Sequence, residues 1–487
     1  MPDAAPTEES LDPADWTDLR ALAHRMVDDM IDYTRDLRER RVWQAVPAEV
    51  RAALRAPLPR AGEGAERAYD DFRRLVLPFP MGNIHPRFWA WVMGTGTPLG
   101  ALAEMLAATL NPNMGGGEHG ANYVERQVLD WCKEMLGYPA AASGLLVSGG
   151  SMANLVGLAV ARHAHAGFDV RKLGVRAGPG PLTVYSSREA HSSVQKAVEL
   201  LGLGSDALRL AAVDADFRVD VGALAAMIRD DRAAGAVPCC IVGNLGTVMT
   251  GAIDDLAGLA DLAAREHVWL HVDGAFGAFA SLVPEYAAQT AAMARADSVA
   301  FDLHKWMYVP FEAGCVLVRN EDTHRRAFSL TPEYLAHAER GVAAGDLWLS
   351  DYGLQLTRGF RALKVWMSLK EHGIDRYARL VRQNIEQARY LADLVRAAPD
   401  LQLMAPVPLN IVCFRWAGGG TEETALDGLN QELLMRLHES GVAVPSNAVI
   451  GGRYALRVAI TNHRSRREDF DLLVREVRRL GEQLAGA

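Results

Sequence analysis

Short apolar runs alternate with longer amphipathic stretches along residues 98–320. Strands that are buried on both faces have nearly continuous apolar sequences of this kind. The runs are LLVS (145–148), LTVY (182–185), LRLAAV (208–213), CCIVG (239–243), VWLHV (268–272), SVAFD (298–302) and GCVLV (314–318). The amphipathic stretches lie near residues 151–166, 191–201, 219–230 and 254–266. This alternation predicts a mainly parallel sheet with helices on both faces, which is the α/β class.

The segment before this region has a different pattern. Residues 14–41 place apolar side chains at helical spacing, and the Pro- and Gly-rich residues 56–64 separate them from the rest of the chain. This pattern predicts an N-terminal helical arm, residues 1–75, followed by a large α/β domain, residues 76–356. A helix with one apolar stripe must pack on the main body or on a partner subunit, and we favour the partner.

The C-terminal part of the chain mixes both patterns and predicts a small α+β domain, residues 357–487. Its helical stretches are 360–397 and 427–440, and its strand-like runs are 409–416 and 454–460. Residues 321–356 show neither period. Because long irregular connections are usually functional or disordered, we keep both possibilities for this loop region at the end of the large domain.

Composition narrows the function. The 487 residues are 49% hydrophobic and 23% charged, with a net charge of -9, which predicts a globular small-molecule enzyme without affinity for nucleic acid or membranes. No segment has the pattern of a leader or a membrane span, and the five Cys form no C-x-x-C pair. We therefore expect a cytoplasmic protein with reduced thiols and no metal site. Only six of the 51 basic residues are Lys, so a lysine in an apolar setting needs a reason.

Polar motifs directly follow several apolar runs, where α/β sheets bind ligands. SGGSMAN (148–154) opens a helix, and its glycines, Ser151 and free backbone N–H groups suit a phosphate; an ordinary turn with a serine cap is the alternative. Asp273 ends the run VWLHV. Its poorly solvated carboxylate needs a cationic partner, either a protonated pyridine nitrogen or an arginine.

Lys305 and His191 occupy comparable positions. Lys305 follows the run SVAFD, where a poorly solvated amine is available for Schiff-base formation; an ion-pair partner or a surface lysine is the alternative. His191 begins a helix, where its ring either stacks on a planar cofactor or only caps the helix. A Schiff-base lysine, an acid for a pyridine nitrogen and a phosphate cradle are together the parts of a pyridoxal phosphate site.

The chain resembles the group II pyridoxal-phosphate-dependent amino-acid decarboxylases, the family of aromatic-L-amino-acid, histidine and glutamate decarboxylases. The resemblance runs from about residue 14 to the C-terminus. It is carried by HPRFWAW (85–91), SGGSMANL (148–155), AHSSVQKA (190–197), NLGTVMTGAIDDL (244–256), WLHVDGAF (269–276), ADSVAFDLHKWM (296–307) and LTRGFRALKVW (356–366). It implies the fold type I architecture of pyridoxal enzymes and a homodimer with active sites at the subunit interface.

The resemblance also implies roles for individual residues. Lys305 would hold the cofactor, pyridoxal 5'-phosphate, as an internal aldimine, Asp273 would pair with the pyridine nitrogen, and His191 would stack on the ring. Tyr352, in the loop region, would return a proton to the substrate carbon. The further cofactor contacts fall on Gly150, Ser151, Asn244, Ala275, Asp302 and His304. The substrate contacts fall on Trp91, Met93 and Gly94.

The implied reaction is the decarboxylation of an L-amino acid to an amine and CO₂ by a carboxy-lyase. The apolar side chains Trp91 and Met93 favour an aromatic or other hydrophobic substrate. Two other pyridoxal reactions stay open, that of an aldehyde synthase and that of an aminotransferase. A non-catalytic binding protein that has kept the fold is the alternative from another class.

Overall fold

The N-terminal part of the chain is helical. The computed structural model describes residues 9–13, 15–330 and 338–486. This part contains α1 (Trp16–Arg35), α2 (Ala48–Ala53), α3 (Ala65–Leu75) and the two-residue strand β1 (Phe88–Trp89). These three helices lie within residues 1–75, the range predicted for the arm. α1 lies along α3, where Tyr69 donates a hydrogen bond to Asp29 and Arg25 pairs with Glu66, so the helices of the arm contact one another.

A seven-stranded sheet forms the centre of the molecule. Its strands are β2 (Ser143–Val147), β3 (Leu182–Ser187), β4 (Leu208–Ala211), β5 (Val237–Asn244), β6 (Trp269–Asp273), β7 (Ser298–Asp302) and β8 (Gly314–Val318). Their order across the sheet is β2-β8-β7-β6-β5-β3-β4. β8 pairs antiparallel with β2 and β7, and the remaining paired strands are parallel. The predicted α/β class with a mainly parallel sheet is confirmed.

Ten helices accompany this sheet in the described part of the chain. They are α4 (Pro98–Leu110), α5 (Gly120–Met135), α6 (Gly150–His165), α7 (Val170–Leu173), α8 (Ser192–Leu200), α9 (Val221–Ala233), α10 (Leu256–Glu266), α11 (Ala287–Thr290), α12 (Leu303–Trp306) and α13 (Glu321–Phe328). The four amphipathic stretches correspond to α6, α8, α9 and α10. None of the described helices is long and apolar enough to cross a membrane.

The region of residues 321–356 contains more regular structure than the sequence predicts. α13 forms its first eight residues, although only His324 of this helix is buried. The helix starts because the Asn320 side chain accepts the backbone N–H of Thr323. Residues 331–337 lie outside the described residues, and a short 3-10 turn covers Leu349–Tyr352.

A second sheet supports the C-terminal domain. Its helices and strands are α14 (Ala362–His372), α15 (Ile374–Ala397), β9 (Leu401–Leu403), β10 (Ile411–Trp416), α16 (Glu423–Ser440), β11 (Val444–Ile450), β12 (Arg453–Ala459) and α17 (Arg467–Ala485). The predicted helical region 360–397 is two helices, because Gly373 lies between them with a φ of 68°. The strand order is β1-β11-β12-β10-β9. β1 lies within residues 76–356, the range predicted for the large domain, but it pairs with this second sheet.

Candidate active site

A cleft of about 820 Å³ lies at the carboxyl ends of the central strands, between the two sheets. It brings together most of the residues that the sequence predicts. The predicted residues that line it are Trp91, Met93, Gly150, Ser151, His191, Asn244, Asp273, Ala275, Asp302, His304 and Lys305. Gly94 and Tyr352 are not among the lining residues. No group of three His, Cys, Asp or Glu side chains suited to a metal ion occurs in the residues that the structure describes.

Lys305 is held by an acid at the end of β7. Its Nζ lies 2.9 Å from Oδ2 of Asp302, the residue that directly precedes α12. The other carboxylate oxygen of Asp302 is buried and has no hydrogen-bond partner among the described residues. His304 lies beside this pair, and burial lowers the pKa of its imidazole although the Asp302 charge opposes this. The lysine amine is thus kept in place inside the cleft by a buried carboxylate.

Asp273 ends β6 and is almost completely buried. Its Oδ2 accepts a hydrogen bond from Nδ2 of Asn154 at 2.8 Å, and its Oδ1 accepts the backbone N–H of Ala275 at 3.1 Å. Within the described residues no arginine pairs with it, so the salt-bridge interpretation of Asp273 is wrong. A buried carboxylate that only receives hydrogen bonds is suited to a further donor from the cleft.

His191 caps α8 and also lines the cleft, so the two interpretations of this residue are compatible. Its Nδ1 accepts the backbone N–H of Ser193 at 3.1 Å and lies 2.7 Å from the Ser193 hydroxyl. Burial lowers the pKa of His191, against the opposing effect of the Asp273 charge. The cap fixes the orientation of the ring at the wall of the cleft.

The start of α6 leaves room for an anion. Gly149 precedes the helix and has no side chain to cap it. A Cβ on Gly150 would lie 2.9 Å from Asp302 Oδ2, and a Cβ on Gly149 would lie 3.3 Å from the His304 ring. The glycines therefore allow the lysine segment to approach the helix N-terminus. One cleft thus contains the N-terminus of α6, Lys305 and Asp273. These three features suit the phosphate, the carbonyl carbon and the ring nitrogen of pyridoxal phosphate, respectively.

The predicted substrate contacts are met only in part. Trp91 and Met93 line the cleft together with Val92. Gly94 does not line the cleft, and a Cβ on it would lie 1.5 Å from the backbone oxygen of His304. Gly94 therefore serves a close backbone approach to the lysine segment, and its contact with a substrate stays a prediction.

Tyr352 also lies outside the cleft lining. Its hydroxyl donates a hydrogen bond to Glu321 at the start of α13, and its ring contacts His324 with centroids 5.1 Å apart. Burial, followed by the hydrogen bond to Glu321, raises the pKa of the Tyr352 hydroxyl. The side chain is directed towards α13 and not into the cleft, so this placement gives no support to the predicted proton transfer by Tyr352.

Arg457 is a cleft residue that the sequence prediction missed. It lies on β12, and its guanidinium donates to the backbone oxygens of Met249 at 3.2 Å and Trp91 at 3.0 Å and to that of Val248. Burial lowers its pKa to about 10, which leaves it charged at neutral pH. A single charged residue inside the apolar run YALRVAI was the signal that could have identified it.

Comparisons with known proteins give a consistent result. The family described as "Pyridoxal-dependent decarboxylase conserved domain" matches residues 47–417. An aromatic-L-amino-acid decarboxylase of Bacillus atrophaeus is 32% identical over 472 residues, 96% of each chain. A phenylacetaldehyde synthase of Arabidopsis thaliana is 30% identical, over 92% of this chain and 93% of that protein. The crystal structure of Oryza sativa TDC with PLP and tryptamine superposes with a TM-score of 0.90 at 27% identity, over 98% of this chain and 100% of that chain.

Proposed function

We propose, from the premise that the chain belongs to the family of pyridoxal-dependent decarboxylases, that it converts an aromatic or other hydrophobic L-amino acid to its amine and CO₂. The family match confirms the resemblance seen in the sequence, and with it the fold type I architecture, the carboxy-lyase class and the use of pyridoxal phosphate. The observation that carries the proposal is the meeting of Lys305 and Asp273 in one cleft with an apolar wall.

The apolar wall supports the choice of substrate. Trp91, Val92 and Met93 line one part of the cleft, and Phe276 and Phe311 line another. Flat apolar side chains of a substrate pack well on such surfaces. The names of the relatives, among them an aromatic-L-amino-acid decarboxylase and a tryptophan decarboxylase, agree with this assignment.

The residues of the cleft have different roles in the proposed reaction. Bound pyridoxal phosphate supplies an electron sink for the pair that CO₂ leaves behind. The Lys305 amine would hold the cofactor through its carbonyl carbon, and the Asp273 carboxylate would accept a hydrogen bond from the protonated ring nitrogen. Gly150 and Ser151 would hold the phosphate at the start of α6, and His191 would lie against the ring.

The remaining predicted contacts complete this arrangement. Ala275 lies directly after Asp273, and Asn244, which is held by two hydrogen bonds to Asp254, lines the cleft at the end of β5. Asp302 orients the Lys305 amine. Arg457 places a buried positive charge in the cleft wall, which attracts the carboxylate of an amino acid.

A substrate panel tests the proposal. Purified protein loaded with pyridoxal phosphate is offered tryptophan, tyrosine, phenylalanine, histidine, leucine and glutamate, and CO₂, amine, aldehyde, peroxide and ammonia are measured. We expect equal amounts of CO₂ and amine from at least one aromatic substrate. In Lys305→Ala we expect the visible absorbance of the lysine-bound cofactor to be lost and the rate to fall by at least about 10³-fold, an effect of the size seen when a covalent catalyst is removed.

The alternatives give different products. Aldehyde, ammonia and peroxide in place of amine would establish an aldehyde synthase, and this candidate is kept because one relative carries that name. Turnover that needs a keto acid would establish an aminotransferase. A protein that shows neither turnover nor the visible absorbance would contradict both the decarboxylase proposal and these alternatives.

We also propose that the protein works as a homodimer. Several large apolar side chains of one protomer are exposed on α1 and α4. They are Trp16, Leu19, Met26, Ile31, Met105, Leu106 and Leu110. Large exposed apolar side chains grouped along a helix are typical of a protein interface.

A cytoplasmic location is proposed as well. All five cysteines are buried free thiols, as expected in a reducing compartment. Cell fractionation tests this, and recovery of the protein outside the cytoplasmic fraction would contradict it.

A further inference from the structure

A chain of hydrogen bonds runs from Asp273 through Asn154, which also lines the cleft, to His271, Ser298 and Trp269, which do not line it. The indole N–H of Trp269 donates to the Ser298 hydroxyl at 2.8 Å, and this hydroxyl lies 2.8 Å from Nδ1 of His271. Nε2 of His271 lies 2.9 Å from Oδ1 of Asn154, whose Nδ2 donates to Asp273 at 2.8 Å. Each of these side chains is at least 95% buried, so no bulk water competes for the bonds.

The two ends of this chain fix its direction. An indole N–H can only donate, so the Ser298 hydroxyl accepts from Trp269. Burial lowers the pKa of His271 to about 4, so at neutral pH the ring carries one proton. Asn154 uses its Nδ2 to donate to Asp273, so its Oδ1, which can only accept, faces Nε2 of His271. The proton is therefore on Nε2, and Nδ1 accepts the Ser298 O–H. The reverse order would place the Asn154 oxygen against the Asp273 carboxylate.

The chain also branches towards His191. The Asn154 amide has a second N–H, which is donated to the Ser193 hydroxyl at 2.9 Å. Ser193 then gives its proton to Nδ1 of His191, which also accepts the Ser193 backbone N–H. The single proton of neutral His191 is therefore on Nε2.

We propose that Ser298, His271 and Asn154 are positioning residues that determine which atoms carry a proton at Asp273 and His191. Through them Asp273 receives hydrogen bonds and gives none, and His191 presents an Nε2–H. This deepens the proposed function and rests on it, because the consequence for the reaction depends on Asp273 facing the ring nitrogen. When the Asp273 carboxylate can only accept a hydrogen bond, the proton stays on the ring nitrogen of the cofactor. The cofactor needs this proton to act as an electron sink.

The close packing of α6 against His271 supports the interpretation that this hydrogen-bond network is a fixed part of the fold. A Cβ on Gly157 of this helix would lie 2.5 Å from Cε1 and 2.6 Å from Nδ1 of His271, and 3.3 Å from the Ser298 hydroxyl. The helix therefore closes directly over the imidazole. Asn154 lies one turn earlier on the same helix, so one element both covers His271 and carries its hydrogen-bond partner.

The test uses the holoenzyme with pyridoxal phosphate labelled at the ring nitrogen, observed by nitrogen NMR. We expect a protonated ring nitrogen in the wild type. In His271→Phe the resonance should move towards that of neutral pyridine, because the Asn154 amide loses the donor that orients it. In His271→Gln, whose amide can still donate to Asn154, we expect the resonance to return towards the wild-type position. An unchanged resonance in His271→Phe would overturn the proposal.

A matched control separates this effect from general damage. His324 is also fully buried, bonded to a serine hydroxyl at 2.9 Å, and lies outside the cleft. His324→Phe should leave the ring-nitrogen resonance unchanged, and a change equal to that of His271→Phe would count against the proposal.

Two further measurements test the proposal if His271→Phe fails to fold. Asn154→Leu removes both donated hydrogen bonds and should give the same shift of the ring-nitrogen resonance, whereas a wild-type resonance would overturn the proposal. In the wild type, the imidazole nitrogens of His271 should show a proton on Nε2 alone, and a proton on Nδ1 would overturn it. Failure of the proposed function is recognised separately, because the wild type would then lack the visible absorbance of the bound cofactor.

Discussion

Tyr352 is bound to a neighbour that keeps it out of the cleft. Its hydroxyl donates to Glu321 and its ring packs on His324, so Tyr352→Phe should leave kcat and the ratio of amine to aldehyde unchanged. The lost hydrogen bond should lower the free energy of unfolding by about 1 kcal/mol. Product analysis and urea unfolding measure the two effects. A shift of product towards aldehyde would return Tyr352 to the mechanism.

Tyr334→Phe is the natural companion variant, because Tyr334 is the other tyrosine of residues 321–356. It lies outside the described residues. Measured beside Tyr352→Phe, it shows whether the proton comes from this region through a different tyrosine.

Individual residues differ in how well the sequence predicts them. Asp273 ends a buried strand and Lys305 lies three residues after another, and these positions pointed to the ligand cleft, whereas Asn244 was expected only from the family resemblance. Gly94 could not be predicted, because the close approach of the His304 backbone is visible only in three dimensions. Asn154 was missed because the local pattern does not reveal a partner more than a hundred residues away, Asp273.

Among the elements, the buried strands were predicted well and short polar helices were not. SVAFD and GCVLV form β7 and β8 with the predicted bounds, because continuous apolar sequence has few uses outside a buried sheet. α13 was missed, since its eight residues bury a single side chain and its start depends on the Asn320 cap. Tyr352 was misplaced for the same reason, because its partner Glu321 lies on that helix.

α4 provides the sharpest test of the homodimer. Leu106 and Leu110 are one turn apart on it, 45% and 69% exposed, so they lie on one face. We expect a dimer in sedimentation velocity for the wild type and a monomer for Leu106→Arg combined with Leu110→Arg, because burying two unpaired charges opposes association. Leu173→Arg on α7, where Leu173 is 57% exposed, is the control and should stay dimeric.

Two outcomes would count against the dimer. A monomeric wild-type protein would contradict the homodimer proposal. A double variant that remains a dimer would move the interface away from α4, to α1 or to another surface.

The whole molecule should be sensitive to mild acid. Burial lowers the pKa of His85 and His324 to about 3 and that of His271 to about 4. In the unfolded chain each titrates near 6.5, so between about pH 6.5 and 4 the unfolded state binds more protons than the folded state. The free energy of unfolding therefore falls as the pH falls through this range, by up to about 1.4 kcal/mol per pH unit for each histidine.

Urea unfolding at a series of pH values measures this dependence. His324→Gln should reduce the slope between pH 6.5 and 4 relative to the wild type, because one of the buried imidazoles is removed. Equal slopes for the two proteins would show that His324 does not contribute.

The pairing of β1 with β11 has a consequence for the synthesis of the protein. β1 precedes Trp91 near the start of the chain, and its partner strand begins at Val444. Arg457, on the next strand, holds the backbone of Trp91. A growing chain on the ribosome therefore carries Lys305 and Asp273 long before the wall of the cleft can close. Full enclosure of the cofactor becomes possible only after the last strand has left the exit tunnel.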